Sequence, residues 1–278
     1  MIKSILLAVD GSTYTDSQVK HCVQLARAFE AKVHVLTVVD IRMVEWAVVL
    51  GTDGFVPVTP SAVYKNETLK ILDEKADAVL AKCESILKEE SILFTADKIQ
   101  GPPVDVICEK NHLVDMLIIG HRGEFAKWRR KLSGATLDAV VRQWSKPICV
   151  TQKTYRPINR LLFAYDGSEK ANKALQLAAV FASRLKLPLS VLTVNNRERA
   201  RKRCLREAAA YLEPYGITLE LIGGAGTPEK EIIRITNENK IDMTIIGAFG
   251  HSRIREAILG STTEHVLRGI STPLLLSK

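Results

Sequence analysis

The two halves of this chain repeat each other. Four short blocks occur twice and in the same order: residues 5–12, 35–38, 115–120 and 146–148 return as residues 161–168, 191–194, 242–247 and 272–274. Several blocks that recur at nearly constant spacing indicate a duplicated structural unit. We therefore predict two similar domains, residues 1–153 and 158–278, joined by a short linker around residues 154–157.

The spacing of the blocks also locates an insertion. Between residues 37 and 120, the first half is 29 residues longer than the corresponding part of the second half. We assign this surplus to an inserted loop at about residues 41–64, which contains two apolar runs. The loop can cover a ligand, cover another subunit or pack on its own half, and the sequence does not distinguish these roles.

The composition is that of a soluble globular protein, with 46% apolar and 25% charged residues. No apolar run approaches the roughly 18 residues that span a membrane. We therefore expect no contact with a membrane. The five cysteines form no CxxC pair, so we expect no metal site, and their odd number fits a cytoplasmic protein. The net charge of +8 permits polyanionic partners, but only 6% of residues are aromatic. We therefore do not expect nucleic acid as a partner.

Strand patterns alternate with helix patterns in both halves. Short apolar runs end near Asp10, Val38 and Gly120, and amphipathic segments, including a long helix at about residues 66–89, separate them. This alternation indicates a parallel sheet covered on both faces. We predict an α/β fold in which each domain is an open five-stranded parallel sheet with helices on both faces. Ligands of such sheets bind beyond the carboxyl ends of the strands.

A glycine motif follows the apolar run at residues 241–246. It consists of Gly247, Gly250 and, nine residues later, Gly260-Ser261-Thr262. Glycines let a backbone approach a ligand closely because they carry no Cβ atom. We predict that Ser261 caps a helix and that Glu264 completes a capping box. Since a helix start binds anions, the order of strand, glycine loop and helix start predicts a phosphate-binding cradle.

With these motifs, the chain resembles the universal stress protein family in its tandem two-domain form. The Asp-Gly-Ser segments at residues 10–12 and 166–168 and the glycine motif, which looks like that family's ATP-binding signature, carry the resemblance. It implies a Rossmann-like fold and a regulatory or stress-response protein that binds ATP, with or without Mg²⁺. AMP, ADP and a cyclic nucleotide remain open as ligands. The resemblance also implies that the halves pair edge to edge through residues 148–152 and 274–277, and that chains form homo-oligomers.

The resemblance further assigns binding roles to residues. The second-half residues expected at the nucleotide are Ala164, Tyr165, Asp166, Val194, Gly247, Gly250, Gly260, Ser261 and Thr262. Their first-half counterparts are Asp10, Val38, Gly120, Gly123 and Gly134. The first-half motif is degenerate, because ten residues separate its last two glycines and Ala135 stands where the second half has a hydroxyl group.

Several alternatives accompany this interpretation. Asp10 and Asp166 equally suit capping of the helices that follow them. We interpret His121 and His251, in the two glycine loops, as exposed polar surface. The sequence contains neither GxxxxGK[ST] nor GxGxxG after the first strand, and no nucleophile with an obvious partner set. We thus assign no catalytic residue and expect at most slow ATP hydrolysis. The alternative function is an interaction module of the same fold that binds no nucleotide.

Overall fold

The computed structural model describes residues 1–40, 48–51, 54–57, 62–123, 135–247 and 260–277. The elements of the first half are, in chain order, β1 (Ser4–Val9), α1 (Thr15–Phe29), β2 (Lys32–Val39), β3 (Val48–Gly51), β4 (Gly54–Pro57), α2 (Ala62–Glu89), β5 (Phe94–Gln100), α3 (Pro103–Glu109), β6 (Met116–Gly120), α4 (Ala135–Gln143) and β7 (Ile148–Thr151). Those of the second half are β8 (Leu161–Ala164), α5 (Glu169–Leu185), β9 (Leu189–Val194), α6 (Glu198–Leu212), β10 (Leu219–Gly224), α7 (Pro228–Glu238), β11 (Met243–Gly247), α8 (Ser261–Gly269) and β12 (Leu274–Ser277).

Ten of these strands form a single sheet in the order β10-β9-β8-β11-β12-β7-β6-β1-β2-β5. Neighbouring strands within each half are parallel, which confirms the predicted fold class. The two halves meet where β7 and β12 pair antiparallel, with Cys149 opposite Leu275. The predicted edge-to-edge pairing through the last strands is thus present, and it joins two five-stranded sheets into one.

The sheet separates two hydrophobic cores, and each core extends through both halves. Alternate strand residues point to opposite faces, so Ile5 and Phe163 belong to one core while Leu6 and Leu162 belong to the other. Helices α1, α2, α5 and α6 cover the first face, and α3, α4, α7 and α8 cover the second. On the first face the rings of Phe29 and Phe181 lie 4.9 Å apart across the boundary between the halves. The two halves therefore share their cores.

The linker between β7 and β8 is held against α1. The amide nitrogen of Gln24 donates to the carbonyl of Ile158 at 2.7 Å, and the Ile158 amide donates back to Gln24 at 2.9 Å. The buried His21 places Nε2 3.1 Å from the carbonyl oxygen of Arg156. These contacts fix the path of the linker and limit independent motion of the halves.

The predicted insertion contains more regular structure than a loop. Strands β3 and β4 form an antiparallel hairpin outside the main sheet. Helix α2 begins at Ala62, ahead of the start predicted near residue 66, and has 28 residues against 15 in α6. Pro60 is the last residue before α2 that disfavours a helix, and no glycine or proline lies between it and Glu89. None of the helices in the described ranges is both long and apolar enough to cross a bilayer.

Candidate functional site

The candidate site lies at the carboxyl ends of β8, β9 and β11, which are neighbours in the sheet. A cavity of about 200 Å³ opens there, and it is closed from the sides by α5, α7 and α8. Leu192, Ile232 and Ile246 provide apolar walls, and Asp166, Ser168 and Thr262 provide polar groups. An apolar pocket with a few convergent polar groups is typical of a small-molecule site.

The structure brings together most of the second-half residues named from the sequence. Six of them line the cavity: Ala164, Tyr165, Asp166, Val194, Gly247 and Thr262. Gly260 and Ser261 directly precede Thr262 at the start of α8. Gly250 lies outside the described residues. Residues that are up to 98 positions apart in sequence, Ala164 and Thr262, thus meet at one edge of the sheet.

Asp166 shapes the turn that carries it rather than capping α5. Its Oδ1 accepts a hydrogen bond from the Ser168 amide at 2.9 Å, across Gly167, whose φ of +78° favours glycine. Ser168 is the N-cap, and its Oγ accepts from the Ala171 amide at 3.2 Å. The capping alternative for Asp166 is therefore wrong, because the serine two residues later performs that role. Asp166 itself is exposed beside the cavity.

In the first half, the aspartate also accepts a hydrogen bond from the amide two residues later. Oδ1 of Asp10 accepts from the Ser12 amide at 3.0 Å, and Ser12 Oγ accepts from the amide of Tyr14 at 3.3 Å. Tyr14 occupies the N-cap position of α1 without a side-chain capping bond. Asp10 therefore does not cap its helix either.

Tyr165 lines the cavity with its side chain buried and hydrogen-bonded. Tyr165 is 4% exposed, and its hydroxyl donates to Asn172 Oδ1 at 2.7 Å. Burial raises the pKa of this phenol, and the nearby Glu207 raises it further. The phenol is therefore held neutral and directed into α5. Of this residue, mainly the backbone and ring edge remain available to a ligand.

Gly247 serves helix packing, which the sequence did not reveal. A Cβ atom at this position would lie 3.1 Å from the backbone carbon and oxygen of Lys170, in the first turn of α5. At Gly120 a Cβ atom would lie 3.0 Å from the Cβ of Tyr14, at the start of α1. From the sequence, we interpret both glycines as places where a ligand approaches the backbone. The close approach at both positions is made by the chain's own helix start.

The start of α8 differs from the predicted capping box. Gly260 is the N-cap, Ser261 is the first helical residue, and the N-cap residue makes no side-chain capping bond. The carboxylate of Glu264 instead pairs with Arg268 on the next turn. The capping-box prediction is wrong because this ion pair draws Glu264 away from the helix start. The first-turn amides of a helix have no partner within it, and together with the helix dipole they favour an anion.

The first-half counterparts lie at the equivalent strand ends. Val38 and Gly120 lie at the ends of β2 and β6, as predicted. A Cβ atom on Gly123 would lie 2.8 Å from Oδ2 of Asp10, so the glycine loop approaches the carboxylate directly. Gly134, His251 and the basic residues between 127 and 131 lie outside the described residues.

His121 in the first glycine loop is buried, contrary to our interpretation as exposed surface. It is 5% exposed, and its Nδ1 lies 3.3 Å from Oε1 of Gln152. The Gln152 amide nitrogen donates to the carbonyl of Leu267 in α8 at 3.2 Å. Burial lowers the pKa of His121 to about 4. Local pattern does not predict this burial, because the histidine contacts Gln152, which in turn contacts α8 of the other half.

No group of three or more His, Cys, Asp or Glu side chains suited to a metal ion occurs within the described ranges. Cys22 and Cys149 lie in the core, as predicted, and burial raises the pKa of both thiols. These thiols are consequently unreactive. The described residues at the site provide a carboxylate, hydroxyl groups and an apolar wall, which together can bind a small molecule.

The chain is similar to known proteins along nearly its whole length. A family model described as "Universal stress protein family" matches residues 1–152 and 195–278. Universal stress protein Slr1230 of Synechocystis sp. is 33% identical over 288 aligned residues, which cover 99% of each chain. Among solved structures, a universal stress protein from Archaeoglobus fulgidus DSM 4304 superposes with a TM-score of 0.73 at 23% identity, covering 99% of this chain and 96% of that one. A putative universal stress protein from Pseudomonas aeruginosa UCBPP-PA14 gives a TM-score of 0.66 at 18% identity, covering 100% and 93%.

Proposed function

This chain belongs to the universal stress protein family, and on that basis we propose that its second half binds ATP and acts as a nucleotide-responsive regulatory module. The observation that carries the proposal is that six residues to which the resemblance assigns binding roles line one cavity. Three of these residues follow one another at the end of β8 and in the turn after it, and the other three come from β9, β11 and α8, which the fold brings to the same edge of the sheet.

Each part of an adenine nucleotide has a matching surface at the site. The apolar side chains of Leu192, Val194 and Ile246 suit the face of a base. The exposed Asp166 carboxylate accepts hydrogen bonds from ribose hydroxyl groups. The start of α8, beside Thr262, suits the phosphates because its first amides point outward and the helix dipole favours negative charge.

The size of the cavity indicates how much of the ligand it encloses. Its volume of about 200 Å³ is below the roughly 300–1,000 Å³ of pockets that enclose a drug-sized ligand. We therefore propose that the adenosine part is buried and that the phosphates lie along the sheet edge towards α8. A ligand held in this way can present its phosphates to a partner protein, which fits a regulatory role better than rapid turnover.

The test is calorimetric titration of the chain, stripped of nucleotide, with ATP, ADP, AMP and a cyclic adenine nucleotide. Val194→Phe fills the cavity wall and should weaken ATP binding by about 100-fold or more, because overpacking excludes the base. The matched control is Val38→Phe, the equivalent residue at the end of β2. It should leave binding to the second half within about two-fold.

Two results would overturn the proposal. Absence of binding heat for all four nucleotides would favour the interaction module without a nucleotide. Equal losses in both variants would place the binding outside this cavity. Analysis of any nucleotide released when freshly purified protein is denatured identifies the ligand among the four.

A further inference from the structure

Helix α6 carries a continuous basic stripe on its solvent face. Arg199, Lys202, Arg203 and Arg206 follow one another at spacings of three, one and three residues. At 3.6 residues per turn they fall within an arc of about 100° and extend over about 11 Å of the helix. All four are exposed. We refer to these four residues as the α6 stripe.

The stripe is electrostatically unfavourable for the helix itself. Its members form like-charge neighbours at three- and four-residue spacings, which destabilise helices. They also concentrate positive charge in the first turns, where the helix dipole prefers acidic residues. Two members have partners: Lys202 pairs with Glu198 at 2.6 Å, and Arg203 pairs with Glu207 at 3.6 Å. Arg199 and Arg206 form no ion pair with any described residue.

The fold does not require this charge, as the equivalent helix shows. Gly11 packs against Val79 of α2, and its counterpart Gly167 packs against Cys204 of α6. Val79 and Cys204 are therefore equivalent positions, and they align the residues of α2 with those of α6. The stripe positions then correspond to Glu74, Asp77, Ala78 and Ala81 in the first half, and all four are exposed. The same face of the same element thus carries two negative charges in one half and four positive charges in the other.

Two of the few aromatic residues lie at the end of the same helix. Tyr211 in the last turn of α6 is 37% exposed, and Tyr215 beyond it is 39% exposed. Their rings lie 5.8 Å apart, and their hydroxyl groups are 3.2 Å apart. The scarcity of aromatic residues argues against nucleic acid, but two exposed tyrosines lie in and just after the last turn of the helix that carries the stripe, beyond the stripe's carboxyl-terminal end.

We propose that α6 forms a binding surface for single-stranded nucleic acid. The stripe contacts backbone phosphates, for which Arg and Lys are the preferred side chains, and the tyrosines offer flat faces for bases. The surface is separate from the cavity at β8, β9 and β11, so the inference does not depend on nucleotide binding there.

The first experiment measures anisotropy of a fluorescent 20-nucleotide single-stranded RNA, titrated with the full chain at 50–200 mM KCl. Four phosphate contacts predict a slope of log K against log salt of about −3, which weakens binding about 50-fold over this range. Arg199→Gln/Arg203→Gln/Arg206→Gln should reduce the slope to about −1. Glutamine is a good helix former, so α6 should stay folded, and circular dichroism verifies this.

The matched control removes the same charge from the equivalent helix. Lys70→Gln/Lys82→Gln/Lys88→Gln changes three exposed lysines of α2. The α2 control should retain the wild-type slope. An equal loss in both triple variants would overturn the proposal, because it would attribute binding to net charge alone.

A third variant tests the role of the tyrosines. Tyr211→Leu/Tyr215→Leu should weaken RNA binding about 5- to 150-fold without changing the salt slope, because base stacking and not charge is lost. Heparin, a polyanion without bases, should bind this variant and the wild type equally. Unchanged RNA affinity in the tyrosine variant, or no RNA binding by wild-type protein at 50 mM KCl, would overturn the proposal. Single-stranded DNA in place of RNA shows whether the sugar matters.

Discussion

The two halves share one topology but differ at the same edge of the sheet. In the second half, Asp166 is exposed beside a cavity of about 200 Å³. In the first half, Gly123 of the glycine loop lies directly against the Asp10 carboxylate. The strands fix where these residues lie, since the counterparts occupy the same strand ends. The residues around the two aspartates differ between the halves, so the two strand edges present different surroundings to a ligand.

Buried side chains mark a second difference between the halves. His121 is enclosed between the first glycine loop and Gln152, which contacts α8 of the second half. The corresponding residue after Gly247 is Ala248. The hydrogen bond of His121 with Gln152 therefore has no side-chain equivalent at Ala248 in the second half. Each difference can be tested by changing a residue in one half and measuring the effect on the other.

The largest expected effect tests whether the halves unfold together. Leu212→Ala in α6 removes a side chain that is 1% exposed and should lower the free energy of unfolding by about 2–5 kcal/mol. All three tryptophans, Trp46, Trp128 and Trp144, belong to the first half. Because the cores are shared, this second-half substitution should lower the urea midpoint of a single unfolding transition, measured by the fluorescence of the first-half tryptophans. An unshifted fluorescence transition, with circular dichroism showing an earlier one, would mean that the halves unfold separately.

The pH dependence of stability should depend on His121. Its folded pKa of about 4 lies below the ordinary value of 6.5, so the unfolded chain binds more protons between these pH values. Stability contributed by the neutral ring is present above pH 6.5 and is lost as pH falls towards 4. The loss should amount to about 2–3 kcal/mol.

His121→Gln should flatten this pH profile, as measured by urea unfolding at pH 7, 5.5 and 4.5. The exposed His265, for which His265→Gln is the control, should leave the profile unchanged. A profile equally steep in His121→Gln and in the wild type would contradict the assignment.

Glycine substitutions separate packing from ligand contact. Gly247→Ala should cost about 1–3 kcal/mol in the absence of nucleotide, because the new Cβ atom meets the backbone of Lys170. At Gly260, the nearest atom to an added Cβ is Thr263 Oγ1 at 4.0 Å. Gly260 is the N-cap of α8, where alanine is less favourable than glycine, so Gly260→Ala should cost at most about 1 kcal/mol and less than Gly247→Ala. Thermal unfolding measures both, and similar losses at the two positions would refute the packing role of Gly247.

The smallest expected effect concerns the two helix starts. Ser168→Ala removes the cap of α5 and should cost about 1 kcal/mol. Ser12→Ala should cost less, because Ser12 closes a turn ahead of α1 and does not cap it. Chemical denaturation of the two single variants resolves the difference. A larger loss for Ser12→Ala would reverse the assigned roles.

The sequence predicted the parts of the fold that depend on local pattern and on repetition. Apolar runs identified the strands, and repeated blocks placed Asp166 and Val194 at strand ends although the family model does not match residues 153–194. The pairing of β7 with β12 followed from the resemblance and from the need to cover sheet edges.

Features that depend on contacts between distant elements were not predictable. Gly247 could not be assigned to helix packing without knowing that α5 begins 3.1 Å from it. The Glu264–Arg268 pair on α8 competed with the capping box, and sequence alone did not show which would form. Helix α2 begins at Ala62, within the segment 41–64 that we interpret from the sequence as a loop. The apolar residues of that segment show no clear helical period, so the pattern does not reveal the helix start.

The antiparallel pairing of β7 with β12 has a consequence for how the two halves are held together. Both partners of that contact are carried by one polypeptide, so its formation is independent of protein concentration and dilution does not reverse it. The same edge is closed to strands from other chains. While β7 and β12 stay paired, no strand of another chain can take this position, and the two unequal halves remain joined at any protein concentration.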